Sequence, residues 1–252
     1  MIELFRLVAY ADELLDSAGF KDYCPNGLQV EGRAEVVRLV SGVTASAALL
    51  DAALDARADA ILVHHGYFWR GEAPCVTGIK RSRLRLLLTN DMSLIAYHLP
   101  LDAHREFGNN AQLANRLGLQ VEGVVEQGSA GGLLWYGRPA AALSAAEFAT
   151  HLSKCLLHEP VLIGDPDQTV SRLAWCTGAA QGFIEEALAL QVDAFVSGEI
   201  SEQTVHFARE AGLAYFAAGH HATERYGVQG LGAHLAEKFA IEHRFIDIHS
   251  PV

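Results

Sequence analysis

Three short segments of this 252-residue sequence place histidines and carboxylates directly after an apolar run. The segments are ILVHHG, YHLPLD and GHHATE, and they contain His64, His65, His98, Asp102, His220 and Glu224. Imidazole nitrogen and carboxylate oxygen suit zinc, iron, manganese and nickel ions, while the absence of thiolates from these segments argues against a closed, soft zinc site. One such segment alone is typical of an ordinary polar loop, but three of them favour a metal site.

The spacing within two of the segments indicates how the side chains are presented. His64 and His65 are adjacent, so on a continuing strand they would point to opposite sides, and a bend at Gly66 would let them converge. Two adjacent histidines are therefore better suited to two neighbouring ions than to one. His220 and Glu224 are four residues apart, which places them on one face of a helical turn.

The elements that position these residues follow from the apolar periodicity. Strand-like and helix-like stretches alternate through the first half of the chain, in the order VVRLVSGVTAS, ALLDAALDARADA, AILVHHG, GIKRSRLRLLLTND, MSLIAYHLPLD and FGNNAQLANRLGL. This alternation predicts βαβ units and a largely parallel sheet. In such sheets ligands collect at the carboxyl ends of the strands, which is where the three polar segments fall.

The second half of the chain repeats the first. RLAWCTGAAQGFIEEALALQVDAFVSGE aligns with VRLVSGVTASAALLDAALDARADAILVHHG, so that Asp193 corresponds to Asp59 and Glu199 to His65. Residues 120–170 interrupt the alternation with glycine, proline and a single helical stretch. We therefore predict an α/β protein with two related lobes, residues 1–119 and 171–252, and a small inserted α+β module, residues 120–170.

Charge and composition limit the class of partner. The formal net charge of −11 argues against long nucleic acids and anionic membranes, whereas a small anionic substrate stays compatible because a bound metal ion reverses the local field. The acidic, amphipathic first twenty residues are typical of a helix rather than of a signal peptide, and no stretch is long enough for a membrane span. Four scattered cysteines without CxxC spacing predict a reduced, cytoplasmic protein.

Several longer motifs identify a family resemblance. They are YCPNGLQVEG (23–32), SGVTAS (41–46), ILVHHGYFWRG (61–71), HLPLDAHREFGNNAQLA (98–114), VSGEISEQTVHFARE (196–210) and AAGHHATERYG (217–227). With them the sequence resembles the NIF-three-like family, often labelled GTP cyclohydrolase I type 2 homologues. The resemblance implies two divalent ions per chain (zinc, iron, manganese or nickel) in a cleft between the lobes, held by His64, His65, Asp102, His220 and Glu224.

The function expected from this resemblance is that of a dinuclear-metal-dependent hydrolase, with a purine nucleotide such as GTP as the first candidate substrate. His98 and Glu199 are the candidate catalytic residues for proton transfer, assigned on position only; His98 is equally compatible with a metal ligand or with a partner of one. A phosphoesterase or an amidohydrolase would use the same ligands. The alternative from a different class is a non-catalytic metal-binding protein, such as a metal chaperone or an interaction protein.

Some remaining features have simpler interpretations. The resemblance also implies a homo-oligomer, a ring-shaped hexamer, in which exposed aromatics such as Phe68 and Trp69 would pack against a neighbouring chain. The PNG sequence at Pro25 to Gly27 is typical of a turn, with a role facing the cleft as the second interpretation. Asn109 and Asn110 are predicted to begin a helix.

Overall fold

The computed structural model describes all residues, 1–252, and contains fifteen strands. They are β1 (Ile2–Glu3), β2 (Gly27–Val30), β3 (Glu35–Val36), β4 (Arg38–Thr44), β5 (Ala60–His65), β6 (Ser93–Ala96), β7 (Gln120–Val124), β8 (Trp135–Arg138), β9 (Leu143–Ser144), β10 (Val161–Ile163), β11 (Thr169–Val170), β12 (Leu173–Cys176), β13 (Ala194–Ser197), β14 (Ala214–Ala217) and β15 (Glu242–Phe245).

Nine α-helices accompany these strands. They are α1 (Leu4–Leu14), α2 (Ala47–Asp55), α3 (Gly78–Thr89), α4 (Leu99–Ala103), α5 (Asn109–Leu117), α6 (Ala145–Leu156), α7 (Ile184–Ala189), α8 (Glu202–Ala211) and α9 (His220–Phe239). None of the helices has both the length and the hydropathy that a membrane span requires. The mixed α/β class predicted from the alternating periodicity is confirmed.

The first of two compact units comprises residues 1–108 and 227–249. Its main sheet has the strand order β15-β4-β5-β6-β2, in which β15, β4, β5 and β6 run parallel and β2 is antiparallel to β6. Successive residues of β5 face opposite sides of this sheet. Leu62 packs in one core cluster with side chains of α1 and α9, whereas Ile61 and Val63 pack in another with α2 and α3. The continuous apolar run of β5 is thus explained by burial on both faces.

The second unit comprises residues 109–226 and 250–252. Its sheet has the order β10-β14-β13-β12-β8-β7, with β12, β13 and β14 parallel and the flanking strands antiparallel. Trp175, Val196 and Phe216 face one core cluster, which includes side chains of α5 and α6. Phe195 and Tyr215 face the other, which includes side chains of α7 and α8.

The internal repeat is visible in the strand register of the two units. Leu39 pairs with Ala60 in the first unit and Leu173 pairs with Ala194 in the second, which are equivalent positions in the sequence alignment. In each unit an aspartate stands just before the second parallel strand of the repeat. The side chain of this aspartate accepts hydrogen bonds from the backbone at the start of the first parallel strand of the repeat. Asp59 accepts from the N–H groups of Val37 and Arg38, and Asp193 accepts from those of Ser171 and Arg172.

The division of the chain differs from the predicted boundaries in three places. Residues 120–170 do not stand apart, because β8 pairs with β12 and α6 packs on the same sheet. The helix α5, predicted in the first lobe, also packs in this unit through Leu113 and Leu117. Residues 227–249 belong instead to the first unit, because β15 pairs with β4 and Leu231 and Leu235 enter its core.

Candidate functional site

His64 and His65 end β5, and each ring is held through Nδ1. His64 is fully buried, and its Nδ1 donates to the carbonyl oxygen of Tyr97 at 2.9 Å. The Nδ1 of His65 lies 3.1 Å from the hydroxyl of Thr44. Because a carbonyl oxygen only accepts, His64 carries its proton on Nδ1, and Nε2 is the nitrogen with which it can bind a metal ion.

The two rings lie close together, with ring centres 4.6 Å apart. Gly66, which follows them, is needed for close packing. A Cβ at this position would lie 2.2 Å from Oε1 of Gln29, and that oxygen accepts the backbone N–H of Tyr67. Any side chain at residue 66 would therefore displace Gln29 and the turn that leaves β5.

His98 joins these two histidines. Its ring centre lies 5.0 Å from that of His64 and 5.8 Å from that of His65, and each of the three residues offers a ring nitrogen within 4.8 Å of those of the other two. The indole of Trp69 meets the His98 ring edge-on at 5.0 Å, and its Nε1 donates to the carbonyl of Gly66. Trp69, expected on an exposed surface, instead covers one side of His98.

Asp22 fixes the orientation of His98 through hydrogen bonds. Its Oδ1 accepts from Nδ1 of His98 at 2.7 Å, and its Oδ2 accepts from the backbone N–H of Leu99 at 2.9 Å and from the amide of Asn26 at 2.9 Å. Burial alone would raise the pKa of Asp22, but the hydrogen bonds from His98 and Asn26 outweigh it and lower the pKa to about 2. Asp22 is therefore ionised at neutral pH.

The buried thiol of Cys24 lies beside Asp22 and His98. Cys24 is grouped with Asp22 and His98 by distance. Burial, with a further contribution from the negative charge of Asp22, raises the pKa of its thiol to about 12. Without a bound metal ion, Cys24 is therefore protonated at neutral pH.

Asp102 lies in the first turn of α4 and is 6% exposed. Its Oδ1 lies 3.4 Å from Nε2 of His64. The helix begins immediately after His98, with Pro100 in its first turn, and the backbone N–H of Asp102 donates to the carbonyl of His98. The short helix thus sets the distance between the histidine and the carboxylate of the YHLPLD segment.

The GHHATE segment supplies the corresponding group of the second unit. Nε2 of His220 lies 3.1 Å from Oε2 of Glu224, one turn further along α9, and its Nδ1 lies 2.7 Å from Oε1 of Glu199. Burial would lower the pKa of His220, but Glu224 and Glu199 outweigh it and raise the pKa to about 9. Metal binding at this ring therefore requires the loss of a proton.

Gly178 leaves room for this group. It has a φ of +68°, and a Cβ there would lie 2.0 Å from Oε1 of Glu224 and 3.2 Å from Nε2 of His220. The backbone N–H of Gly178 donates to the hydroxyl of Thr223 at 3.1 Å, which holds the turn in this position. Because residue 178 is a glycine, the turn after β12 packs against the carboxylate of Glu224 without displacing it.

Comparison with known proteins gives the family. A sequence profile described as Duf34/NIF3 (NGG1p interacting factor 3) matches residues 2–251. The chain belongs to the Duf34/NIF3 family. It is 59% identical over 250 residues to a protein of Pseudomonas aeruginosa and 57% identical over 252 residues to one of Allochromatium vinosum, both named GTP cyclohydrolase 1 type 2 homolog. These alignments cover 99% and 100% of this chain and 99% and 98% of the relatives.

Solved structures of the Duf34/NIF3 family agree with the fold. One titled "Structural genomics, protein ybgI, unknown function" matches with a TM-score of 0.95 and 49% identity, and covers 100% of both chains. Another, the protein TTHA1606 from Thermus thermophilus, matches with a TM-score of 0.89 and 32% identity, again over 100% of both. The resemblance seen in the sequence motifs is confirmed.

Within this Duf34/NIF3 fold, the residues predicted from sequence form one group in each unit. The first unit brings together His64, His65, His98 and Asp102, and the second brings together Glu199, His220 and Glu224. Sequence reasoning missed four residues that hold these groups in place: Asp22, Asn26, Thr44 and Gly178. The PNG turn was the available signal for Asn26, since its second interpretation was a role in the cleft.

The predicted interpretation of two other residues changes in part. Asn109 and Asn110 do begin α5, but both are buried. The side-chain oxygen of Asn110 accepts the backbone N–H of Thr177 at 3.1 Å, so this residue ties α5 to the turn after β12.

The donor set fits a divalent ion. Four histidines, His64, His65, His98 and His220, each have Nδ1 next to an oxygen, which leaves Nε2 available for a metal ion and is the usual arrangement of metal-binding histidines. Two nearly buried carboxylates, Asp102 and Glu224, stand beside Nε2 of His64 and His220.

Proposed function

We propose that this protein is a metal-dependent hydrolase in which His64, His65, Asp102, His220 and Glu224 together bind two divalent ions. The observation that supports this most is the anchoring of the histidine rings through Nδ1, combined with a carboxylate beside Nε2 in each unit. Ligands of this kind bind zinc, iron, manganese and nickel.

The proposed reaction assigns separate roles to the bound ions, the two carboxylates and the proton-transfer residues. Bound divalent ions would lower the pKa of a coordinated water and polarise the bond that it attacks. Asp102 and Glu224 each have two oxygens to offer, and five side chains leave coordination positions for water and substrate. Proton transfer by His98 and Glu199 stays a prediction from position; the bond from Glu199 to the His220 ring favours an orienting role for that carboxylate.

The proposed substrate is a purine nucleotide, with GTP as the first candidate. This rests on the relatives named GTP cyclohydrolase 1 type 2 homolog. Hydrolysis would open the imidazole ring of guanine and release the carbon between its two nitrogens as formate. The net charge of −11 does not oppose a triphosphate at this site, because two cations dominate the local field.

A second candidate is a metal-binding protein without turnover. The description of the family, which includes "NGG1p interacting factor 3", names an interaction rather than a reaction. The two functions differ in metal exchange. A carrier releases its ions readily to a competing chelator, whereas a hydrolase retains them and shows activity that follows metal occupancy.

The experiment that separates these functions is a substrate screen. Metal-loaded protein is incubated with GTP, other nucleotides, phosphoesters and amides, with Asp102→Ala as the control. Formate released from GTP above the Asp102→Ala background supports the cyclohydrolase. Hydrolysis of another compound supports a hydrolase with a different substrate, and inactivity across the screen favours the metal carrier.

We also propose that the chains assemble into a homo-oligomer, a ring-shaped hexamer. The support is the family membership together with large exposed apolar side chains of the first unit, among them Phe5, Ile79 and Leu88.

A further inference from the structure

The turn Asp22–Asn26 holds His98 at three points. Asp22 accepts from the ring Nδ1 of His98 and from the backbone N–H of Leu99, and Oδ1 of Asn26 accepts the backbone N–H of His98 at 2.7 Å. Asn26 in turn donates to Oδ2 of Asp22. Both the position of the backbone and the rotation of the ring are therefore set by one carboxylate and one amide.

This contact determines which nitrogen of His98 carries the proton. The carboxylate of Asp22 is an acceptor, so Nδ1 of His98 donates and Nε2 presents its lone pair. His64 has the same tautomer for the same reason, since its Nδ1 donates to a carbonyl. The side chain of Asp22 is 3% exposed and that of His98 15%, which keeps water from competing for the bond.

The spacing of the His64 and His98 rings matches that of two imidazoles bound to one metal ion. In a tetrahedral site with metal–nitrogen bonds of about 2.0–2.1 Å, the centres of two bound imidazoles lie about 5 Å apart. The ring centres of His64 and His98 are 5.0 Å apart, whereas those of His65 and His98 are 5.8 Å apart. His98 is therefore better placed to share an ion with His64 than with His65.

We propose that Asp22 is a positioning residue that fixes His98, so that Nε2 of His98 joins that of His64 in binding one of the two divalent ions. This makes His98 a sixth metal-binding side chain and rests on the metal site of the proposed function. In this role Nε2 of His98 is bound to the ion, so His98 does not transfer protons while the ion is present. Trp69, packed edge-on against His98 and near His65, limits the movement of the rings.

The substitution Asp22→Asn tests the role of the carboxylate while it preserves the shape of the side chain. An amide has only one acceptor oxygen, so its NH₂ group faces either the ring of His98 or the N–H groups of Leu99 and Asn26. The first orientation forces the proton of His98 onto Nε2. The second removes the hydrogen bond from the N–H of Leu99, the first residue of α4. Both impair metal binding, and loss of such an orienting partner typically lowers metal affinity by about 10- to 100-fold.

The measurement is a competition titration of the full-length protein with Co²⁺ and a chelator, followed by the visible absorption of bound Co²⁺. Asp22→Asn and His98→Gln are compared with wild type and with Asp165→Asn, a turn aspartate of the second unit whose Oδ1 accepts the N–H of Asp167. We expect both test variants to bind Co²⁺ about 10- to 100-fold more weakly and to change its absorption spectrum, with Asp165→Asn unchanged.

A second readout does not depend on any variant. Nitrogen NMR of metal-free wild type reports the tautomer of His98 directly, and we expect the proton on Nδ1. The inference is overturned if the proton is on Nε2, or if Asp22→Asn and His98→Gln bind Co²⁺ like wild type while Glu224→Ala does not. Failure of the proposed function looks different: wild type then binds no ion, or binds ions normally and hydrolyses nothing.

Discussion

The imidazole rings of the candidate site share one local arrangement, in which Nδ1 is bonded to an oxygen from another part of the chain. The partners are the carbonyl of Tyr97, the hydroxyl of Thr44 and the carboxylates of Asp22 and Glu199. Each bond restricts the rotation of a ring before any ion arrives. A site whose ligands are already oriented loses less side-chain entropy on binding, which favours affinity and fixes geometry.

Gly178 offers a test of this orientation in the second unit. We expect Gly178→Ala to weaken metal binding by about 10- to 100-fold, because its Cβ would lie 2.0 Å from Oε1 of Glu224 and must displace that carboxylate. The control is Gly182→Ala, since a Cβ there meets no atom within 4 Å. Calorimetric titration with Zn²⁺ measures both. Equal affinity for the two variants would mean that Glu224 is not a ligand in this position.

The carboxylate itself provides a second prediction. Elemental analysis of purified Glu224→Ala should show the loss of at least one ion per chain relative to wild type, because this nearly buried carboxylate lies within 3.1 Å of Nε2 of His220. Retention of the full metal content would remove Glu224 from the site.

The sequence predicted the candidate ligands of each unit but not the residues that hold them in place. His64, His65 and His220 stand at strand ends or helix starts, which apolar periodicity locates. The partner of His98 is 76 positions away in sequence, and that of His65 is 21 positions away. Such pairs arise only from the order of strands in the sheet, which a single sequence does not specify.

At the scale of elements, the repeated aspartate explains why the two units start their parallel strands in the same way. The N–H of Asp59 donates to the carbonyl of Arg38, and the N–H of Asp193 donates to that of Arg172. The carboxylates of Asp59 and Asp193 in turn accept hydrogen bonds from the N–H groups of Arg38 and Arg172. Each aspartate thus fixes the register of two neighbouring strands.

A pH-dependent stability follows from Asp193. Burial would raise its pKa, but hydrogen bonds from Ser171 and from the N–H of Arg172 outweigh it and lower the pKa. A carboxylate with a lowered folded pKa stabilises the fold above its unfolded pKa of about 3.9 and loses that contribution as the pH falls through the folded value. Asp193→Asn should therefore cost about 1–2 kcal/mol at pH 7 and progressively less below about pH 4.

Chemical denaturation at several pH values measures this difference. The control is Asp55→Asn, an exposed residue, for which a small and pH-independent change is expected. If the cost of Asp193→Asn were the same at pH 7 and pH 3, the charge of this carboxylate would play no part in holding the strand.

The strands and helices of the repeat were predictable because their apolar periodicity is local. The sheet to which the remaining strands belong was not predictable. The antiparallel pairing of β8 with β12 brings residues 120–170 into the second sheet, and nothing in that segment identifies its partner strand. The same holds for β15, which lies at the end of the chain and pairs with β4 near its beginning.

At the scale of the whole molecule, the chain forms two units of similar design from discontinuous segments. The first unit is completed only when residues 227–249 are added to residues 1–108. Leu231 and Leu235 of α9 are nearly fully buried in its core, so removal of the second half of α9 together with β15 would expose apolar surface of α1. The first unit therefore depends on segments from both ends of the sequence.

The first unit exposes several large apolar side chains. Ile79 is 72% exposed, Phe5 61% and Leu88 57%, whereas Phe68, expected to pack against a neighbour, is 37% exposed. Phe5 lies on α1 and Ile79 and Leu88 lie on α3, so both helix layers of this unit present apolar side chains to a neighbouring chain. We predict that sedimentation at micromolar concentration gives a mass near six times the 27.2 kDa of one chain, and that Phe5→Ser combined with Ile79→Ser shifts it toward smaller species. Thr89→Ser, an exposed polar change on α3, is the control and should leave the mass unchanged. A single 27.2 kDa species for wild type would show that these side chains serve another partner or none.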